Sequence, residues 1–205
     1  MLTLIKNCCI IDLWMYAQQA NYACFEIQSI ILWSVNTTEN LEIERKFLVE
    51  YPDVRTLCVR RSAAILQTYL ADGEGGSQRR VRRITENGRV RYTYTEKVFR
   101  SASVREEHER DISADEYAEL IKQVKGTPVD KTRYAFDYMG QLFELDCYSF
   151  SDRFAILELE LRSEEQRILF PDNINVLREV TTDHAYSNAA LANAGAFADE
   201  RREEC

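Results

Sequence analysis

With 205 residues, 45% of them hydrophobic and 29% charged, the chain has the make-up of one ordinary globular domain, not of a disordered or fibrous protein. Its net charge of −8 argues against the broad basic surface that generic nucleic-acid binding needs. It does not exclude a small polyanionic ligand, because a local field is set by where charges sit and by bound cations.

Six cysteines (Cys8, Cys9, Cys24, Cys58, Cys147 and Cys205) show neither metal-ligand nor redox spacing. No disulfide framework is suggested, so a reducing, cytoplasmic setting is expected. Residues 1–40 hold two largely apolar runs, Cys8–Trp14 and Ile27–Val35, interrupted by Asp12 and bounded by Glu26. Both fall far short of the ~20 residues of a membrane span, and with Lys6 as its only cation the segment matches a secretory signal poorly. This extension is expected to lie upstream of the true start; a weakly membrane-associating helix is the alternative.

Leu41–Val49 reads as a strand with Glu42, Glu44 and Lys46 on one face, each about 7 Å from the next, and Ile43, Arg45 and Phe47 on the other. An irregular or helical segment opens at Tyr51-Pro52-Asp53 and ends before Ala64, and Ile65–Leu70 is the next strand. Asp72–Ser77 is a loop by its glycines. Arg79–Thr85 and Arg89–Lys97 pair through the hairpin turn Glu86-Asn87-Gly88-Arg89, since Asn-Gly accepts the positive φ angles of a tight turn. Ser113 to Glu116 is a capping box opening an amphipathic helix that Gly126 and Pro128 stop. Residues 130–162 form a meander with turns at Met139-Gly140 and Ser151-Asp152. A short helix is predicted from Ser163, another over about Asp183–Ala194, and Asp199–Cys205 is a charged, frayed tail.

The alternation of the first strand returns along the chain. Arg80 and Arg82 stand two apart, as do Thr95 and Lys97, Glu107 and Glu109, Lys131 and Arg133, Glu144 and Asp146, and Glu158 and Glu160. In the last two strands the intervening residues are apolar (Phe143, Leu145, Leu157, Leu159), so the opposite face is the one buried against protein. Such a sheet either exposes its ionic face to solvent or rolls up with that face inside.

The ordered set of motifs resembles the triphosphate tunnel metalloenzymes, or CYTH family. The matching pieces are Glu42-x-Glu44-x-Lys46, Gln67-Thr68-Tyr69-Leu70, Arg80-Val81-Arg82, Thr95-x-Lys97, Lys131-Thr132-Arg133-Tyr134, Phe143-Glu144-Leu145-Asp146, Glu158-Leu159-Glu160, and Arg178–Thr181 with Tyr186-Ser187-Asn188. The resemblance implies an α+β fold: a closed antiparallel eight-stranded β-barrel, the triphosphate tunnel, with helices packed outside and a C-terminal helix near one mouth. The domain would span residues 41–196, after the 1–40 extension and before a 197–205 tail. A homodimer is compatible with this layout, and no nucleic acid or membrane span is implied.

A linear triphosphate carries several negative charges, so a site for it needs fixed cations together with a divalent metal and oxygen ligands for that metal. Arg80, Arg82, Lys97, Lys131 and Arg133 are the candidates to hold phosphate oxygens. In the family the first motif and the late Glu-x-Glu strand supply metal ligands, which implies Glu42, Glu44, Glu158 and Glu160 as ligands for Mg²⁺ or Mn²⁺; Asp146 is a further candidate. Lys46 and Tyr69 match an interacting pair that some members place beside the reacting phosphate, and crowding by arginines is expected to lower the pKa of Lys46. The implied activity is hydrolysis of tripolyphosphate or of an organic triphosphate such as thiamine triphosphate, in the manner of the small bacterial tripolyphosphatases. The alternatives are a class IV type adenylyl cyclase and a non-catalytic polyphosphate-binding module.

Overall fold

The computed structural model describes residues 43–99, 105–163 and 165–203. Glu42 and the 1–40 extension lie outside the described residues. The described residues form nine strands: β1 (Ile43–Glu50), β2 (Val59–Tyr69), β3 (Gln78–Glu86), β4 (Arg89–Phe99), β5 (Arg105–Ile112), β6 (Val129–Tyr138), β7 (Gln141–Tyr148), β8 (Phe154–Leu161) and β9 (Val176–Glu179). Three helices join them, α1 (Ala114–Leu120), α2 (Asn188–Ala194) and α3 (Ala198–Glu203). Among the described residues no helix is long and apolar enough to cross a membrane.

All the strands belong to one sheet in the order β5-β4-β3-β2-β6-β7-β8-β1-β9, and the described pairings are antiparallel. Two hairpins set the register by tight turns in which both central residues have positive φ: Asn87 (50°) with Gly88 (74°), and Met139 (50°) with Gly140 (74°).

The expected closed eight-stranded barrel is not what forms. The sheet has nine strands and stays open, with β5 at one edge and β9 at the other. Edge chemistry gives the reason. From Arg105 to Asp111 every residue of β5 is charged or a histidine, and such a strand has nothing apolar to bury against a closing partner and blunts further pairing. At the far side β9 is only four residues long, and its pairing with β1 shifts register between Leu48 and Val49.

The sheet nonetheless curls. β1 and β2 lie four places apart in the strand order, roughly 19 Å on a flat sheet. Leu48 on β1 and Tyr69 on β2 still belong to one buried apolar cluster, so the two ends of that span approach each other over the intervening strands.

The outer face carries most of the core. Phe47 and Val49, Phe143 and Leu145, and Leu157 and Leu159 are buried there under the segment that supplies Phe170 and Ile174. Phe143 is fully buried, and truncating it to Ala would cost about 3–5 kcal/mol. Farther along, Leu70 and Val81 pack under α1 through Tyr117. That helix is capped as predicted, the Ser113 hydroxyl accepting from the Glu116 amide at 3.1 Å.

Four local expectations differ. β2 begins at Val59, six residues before the predicted start, because its first half is held by the ladder to β6 while Arg60, Arg61 and Ser62 remain exposed and hide the alternation. No helix forms at Ser163 or over residues 165–175; the segment is irregular, with single turns closed by the Gln166 and Ile174 amides, and lays Ile168, Phe170 and Ile174 onto the core. The tail is not frayed throughout, since α3 starts at Ala198 just after the fully buried Phe197. The helix expected near residues 183–194 divides into a 3-10 turn at His184–Tyr186 and α2, broken where Ser187 caps α2 by accepting from the Ala190 amide at 3.2 Å.

Candidate active site

Strand register puts the predicted ionic residues on one face. Paired residues in an antiparallel ladder point the same way. Glu44 is opposite Glu160 and Lys46 opposite Glu158; Glu158 is opposite Glu144; Asp146 is opposite Arg133. On the other half Tyr69 is opposite Arg80, Arg80 opposite Thr95, and Lys97 opposite Glu107, while Arg82 is opposite Thr93. The two halves meet at β2 and β6, where Ala63 faces Arg133 and Ile65 faces Lys131. Every predicted site residue from Glu44 to Glu160 therefore shares this face, on which the curl of the sheet brings Lys46 and Tyr69 together.

The densest part is an ion-pair network across β6, β7, β8 and β1. Arg133 donates to Asp146 through Nε at 2.6 Å and Nη2 at 2.7 Å, to Glu158 through Nη2 at 2.6 Å, and to Glu144 through Nη1. Lys131 also pairs with Asp146, and its ammonium is 3.3 Å from Oδ1 of Asn188. Asn188 in turn accepts from the Tyr148 hydroxyl at 2.8 Å. Lys46 donates to Glu158 at 2.8 Å and lies 3.1 Å from Glu44.

Burial sets the electrostatics. The Asp146 side chain is fully buried and that of Lys131 is 3% exposed. Burial would push the Asp146 carboxyl up, but Lys131 and Arg133 together outweigh it and hold it well below the usual carboxylate range. Burial wins at Lys131, whose pKa is lowered despite Asp146.

Lys46 behaves differently from the expectation of a lowered pKa. Desolvation pulls it down, yet Glu158 and Glu44 raise it above its ordinary value. Its nearest charged neighbours are carboxylates, not arginines. Glu44 keeps 45% of its side-chain surface, but the surrounding walls still desolvate it, and that effect plus repulsion from Glu158 raises its pKa.

A cationic half faces this network. Arg80 donates to Glu107 at 3.0 Å, Lys97 lies 2.6 Å from the other oxygen of Glu107, and Arg82 pairs with Glu109, which also accepts from Thr95 at 2.9 Å. Burial and repulsion from Arg80 lower the pKa of Arg82 despite Glu109. The Nε of Arg80 is a buried donor with no acceptor among the described residues. Tyr69 accepts from Gln67 at 2.8 Å, and burial keeps its hydroxyl neutral by raising its pKa.

One end of the face is stoppered by apolar side chains. Leu48, Tyr69, Val129, Tyr148 and Ile156 pack there with Leu191 of α2 and with Phe197. α2 packs at this end of the open sheet, and through Asn188 it touches Lys131. The paired roles of Glu107 and Glu109, legible only as alternation in the sequence, and the Asn188 contact to Lys131 are what sequence reasoning missed. Glu179 lies on the outer face, where it pairs with Arg45.

The donors available to a metal are all carboxylate oxygens, which suits Mg²⁺ or Mn²⁺. Glu44 and Glu160 face each other with Glu158 beside them. The residues fit such an ion, although among the described residues no group of three or more is already gathered into a cation cage. Both oxygens of Asp146 are taken by Lys131 and Arg133.

No protein-family model and no curated protein matches the chain. Solved structures do. The structure described as the hypothetical protein NE1496 is 34% identical with a TM-score of 0.52, over 74% of this chain and 97% of that one. The structure described as the inorganic triphosphatase NE1496 is 32% identical with a TM-score of 0.52, over 74% of this chain and 93% of that one. More distant is HpAC1 from Hippeastrum, described as a putative adenylyl cyclase with a dominant triphosphatase activity, at 14% identity and a TM-score of 0.44 over 60% of this chain and 81% of that one. With more than 30% identity over nearly the whole of NE1496, the chain belongs to the CYTH family, the triphosphate tunnel metalloenzymes.

Proposed function

We propose that the protein is a metal-dependent triphosphatase whose substrate is inorganic tripolyphosphate. The observation that carries the reading is the shared face, on which Arg80, Arg82, Lys97, Lys131 and Arg133 stand opposite Glu44, Glu158 and Glu160, with a buried Arg80 donor still in want of an acceptor. Fixed guanidinium groups fork onto phosphate oxygens, and because they are already in place they cost little reorganisation when charge shifts in the transition state. The NE1496 likeness supports the same chemistry.

Glu44 and Glu160, with Glu42, would hold the divalent ion, and Glu158 would join them by exchanging one of the Lys46 and Arg133 contacts that now take its two oxygens; when bound, the ion neutralises phosphate charge and polarises the reacting phosphoryl group. Asp146 is the anchor that fixes Lys131 and Arg133 instead of a metal ligand. In the hydrolysis, a water oxygen bonds to the terminal phosphorus and gives a proton to a phosphate oxygen, the bridging P–O bond breaks with its electron pair leaving on diphosphate, and orthophosphate departs. Lys46, held protonated by Glu158 and Glu44, supplies positive charge beside the reacting group; Tyr69 supplies a neutral hydroxyl donor. The free, buried thiol of Cys147 suits a reducing, cytoplasmic setting.

The test offers tripolyphosphate, thiamine triphosphate and ATP with Mg²⁺ or Mn²⁺ and scores phosphate, pyrophosphate and cyclic AMP. Phosphate released fastest from tripolyphosphate, lost in Glu44→Gln and weakened in KM by Arg82→Ala, is the expected result. Cyclic AMP with pyrophosphate, or binding without turnover, would overturn it.

A further inference from the structure

What the Tyr69 hydroxyl can do is set by its neighbour two residues back on β2. The Tyr69 ring is buried with Leu48, Val129 and Tyr148, which leaves the hydroxyl as its polar handle. A phenol oxygen carries one proton to give and lone pairs to accept with. Gln67 lies on the same face of β2, is 1% exposed, and donates an Nε2 proton to that oxygen at 2.8 Å.

An amide N–H fills a lone pair and cannot take a proton in return. The cross-strand neighbours of this pair cannot take one either. On β3, Arg80 is opposite Tyr69 and Arg82 opposite Gln67, and on β6 Val129 is opposite Gln67; the first two side chains only donate and the third is apolar. Among the described residues no acceptor takes the Tyr69 proton. On the same rung the buried Nε of Arg80 also lacks an acceptor. Two such donors on one rung are what an anion completes, because a buried donor left unsatisfied costs more than an ordinary hydrogen bond contributes.

We propose that Gln67 is a positioning residue: by holding the Tyr69 oxygen as a donor, it turns the hydroxyl proton onto a phosphate oxygen that the Arg80 guanidinium also grips. The inference rests on the triphosphatase reading above and deepens it, adding a residue that acts only through Tyr69. A glutamate of the same length would do the reverse, since a carboxylate accepts the Tyr69 proton and withdraws it from the substrate. A neutral amide also adds no second carboxylate beside Arg82, which Glu109 already holds.

The test is a double-mutant cycle on the full chain, measuring kcat and KM for tripolyphosphate with Mg²⁺ in the wild type, Gln67→Met, Gln67→Glu, Tyr69→Phe and the two combinations. Methionine keeps the length of the side chain without its donor. Expected is a fall in kcat of roughly tenfold for Gln67→Met and roughly a hundredfold for Gln67→Glu, with KM changed by less than about threefold. In the Tyr69→Phe background either substitution should change kcat by less than about twofold, because the hydroxyl through which Gln67 acts is gone. Equal losses in both backgrounds would make Gln67 a packing residue and overturn the proposal, as would a Gln67→Glu protein as active as the wild type. If the buried glutamate prevents folding, the methionine cycle decides alone. Should the wild type leave tripolyphosphate intact, the triphosphatase reading fails by itself. Gln67 is then judged from the ¹³C resonance of Tyr69 Cζ in the unliganded protein, expected to shift in Gln67→Met as the oxygen loses its donor; an unmoved resonance overturns the positioning role.

Discussion

Arg133 grips Asp146 with two nitrogens of its guanidinium, at 2.6 and 2.7 Å, and the same carboxylate receives the ammonium of Lys131. One buried acid therefore fixes two of the cations assigned to phosphate, and their charge disfavours a metal ion at the same oxygens. Asp146→Asn keeps the shape but leaves a buried excess of positive charge, and removing one member of such a buried pair costs about 3 kcal/mol or more. The expected outcome is a lower denaturant midpoint at constant m-value and a raised KM for tripolyphosphate, with the Mg²⁺ concentration for half-maximal activity unchanged. A large rise in that Mg²⁺ requirement would return Asp146 to the metal ligands.

Stability against acid follows from the same carboxylate. The folded pKa of Asp146 is held well below the unfolded value of about 3.9, so its contribution is fully present above that value and drains away as pH falls toward the depressed one. Burial and repulsion from Asp146 work against Glu158, yet Lys46 and Arg133 leave it lowered as well, with the same sign. The unfolding free energy should fall steadily below about pH 5, and Asp146→Asn should flatten that fall. Parallel pH profiles for the two proteins would show that another group carries the acid sensitivity.

The ionic face was legible because a strand's period of two is indifferent to where the strand sits: Glu44 and Lys46, Arg80 and Arg82, or Glu158 and Glu160 alternate whether the sheet is open or closed. Closure was not legible. It depends on what the two outermost strands do, and the four residues of β9 were too few to stand out beside Arg178–Thr181 read as a motif. The pKa of Lys46 was misjudged for a related reason. Sequence shows which charges exist, whereas the register of β1 on β8 decides that Glu158, and no arginine, is its cross-strand neighbour.

On the function proposed above, that neighbour makes Lys46 a fixed cation in place of a proton acceptor. Arginine, which keeps its charge, should then substitute partly: Lys46→Arg is expected to lose about tenfold in kcat and Lys46→Met about a hundredfold or more. A base would behave otherwise, with both variants equally inactive and the wild-type rate rising along a limb that the arginine variant lacks. Single-turnover rates across the pH range separate the two cases.

On the opposite half, Glu107 and Glu109 occupy the cations that the substrate is to use. Arg80 and Lys97 share Glu107, and Arg82 holds Glu109. Phosphate must displace these carboxylates or share the guanidinium forks with them, so the apo protein lowers its own affinity. Replacing both acids by glutamine leaves the side-chain volume intact and makes this half of the face more positive. The KM for tripolyphosphate should fall about threefold and depend more steeply on ionic strength. Because both carboxylates are more than a third exposed, the stability cost should stay below about 1 kcal/mol. An increase in KM with the thermal midpoint unchanged would mean that the acids position Arg80 and Arg82 for phosphate, and that their removal scatters the cations it was meant to free.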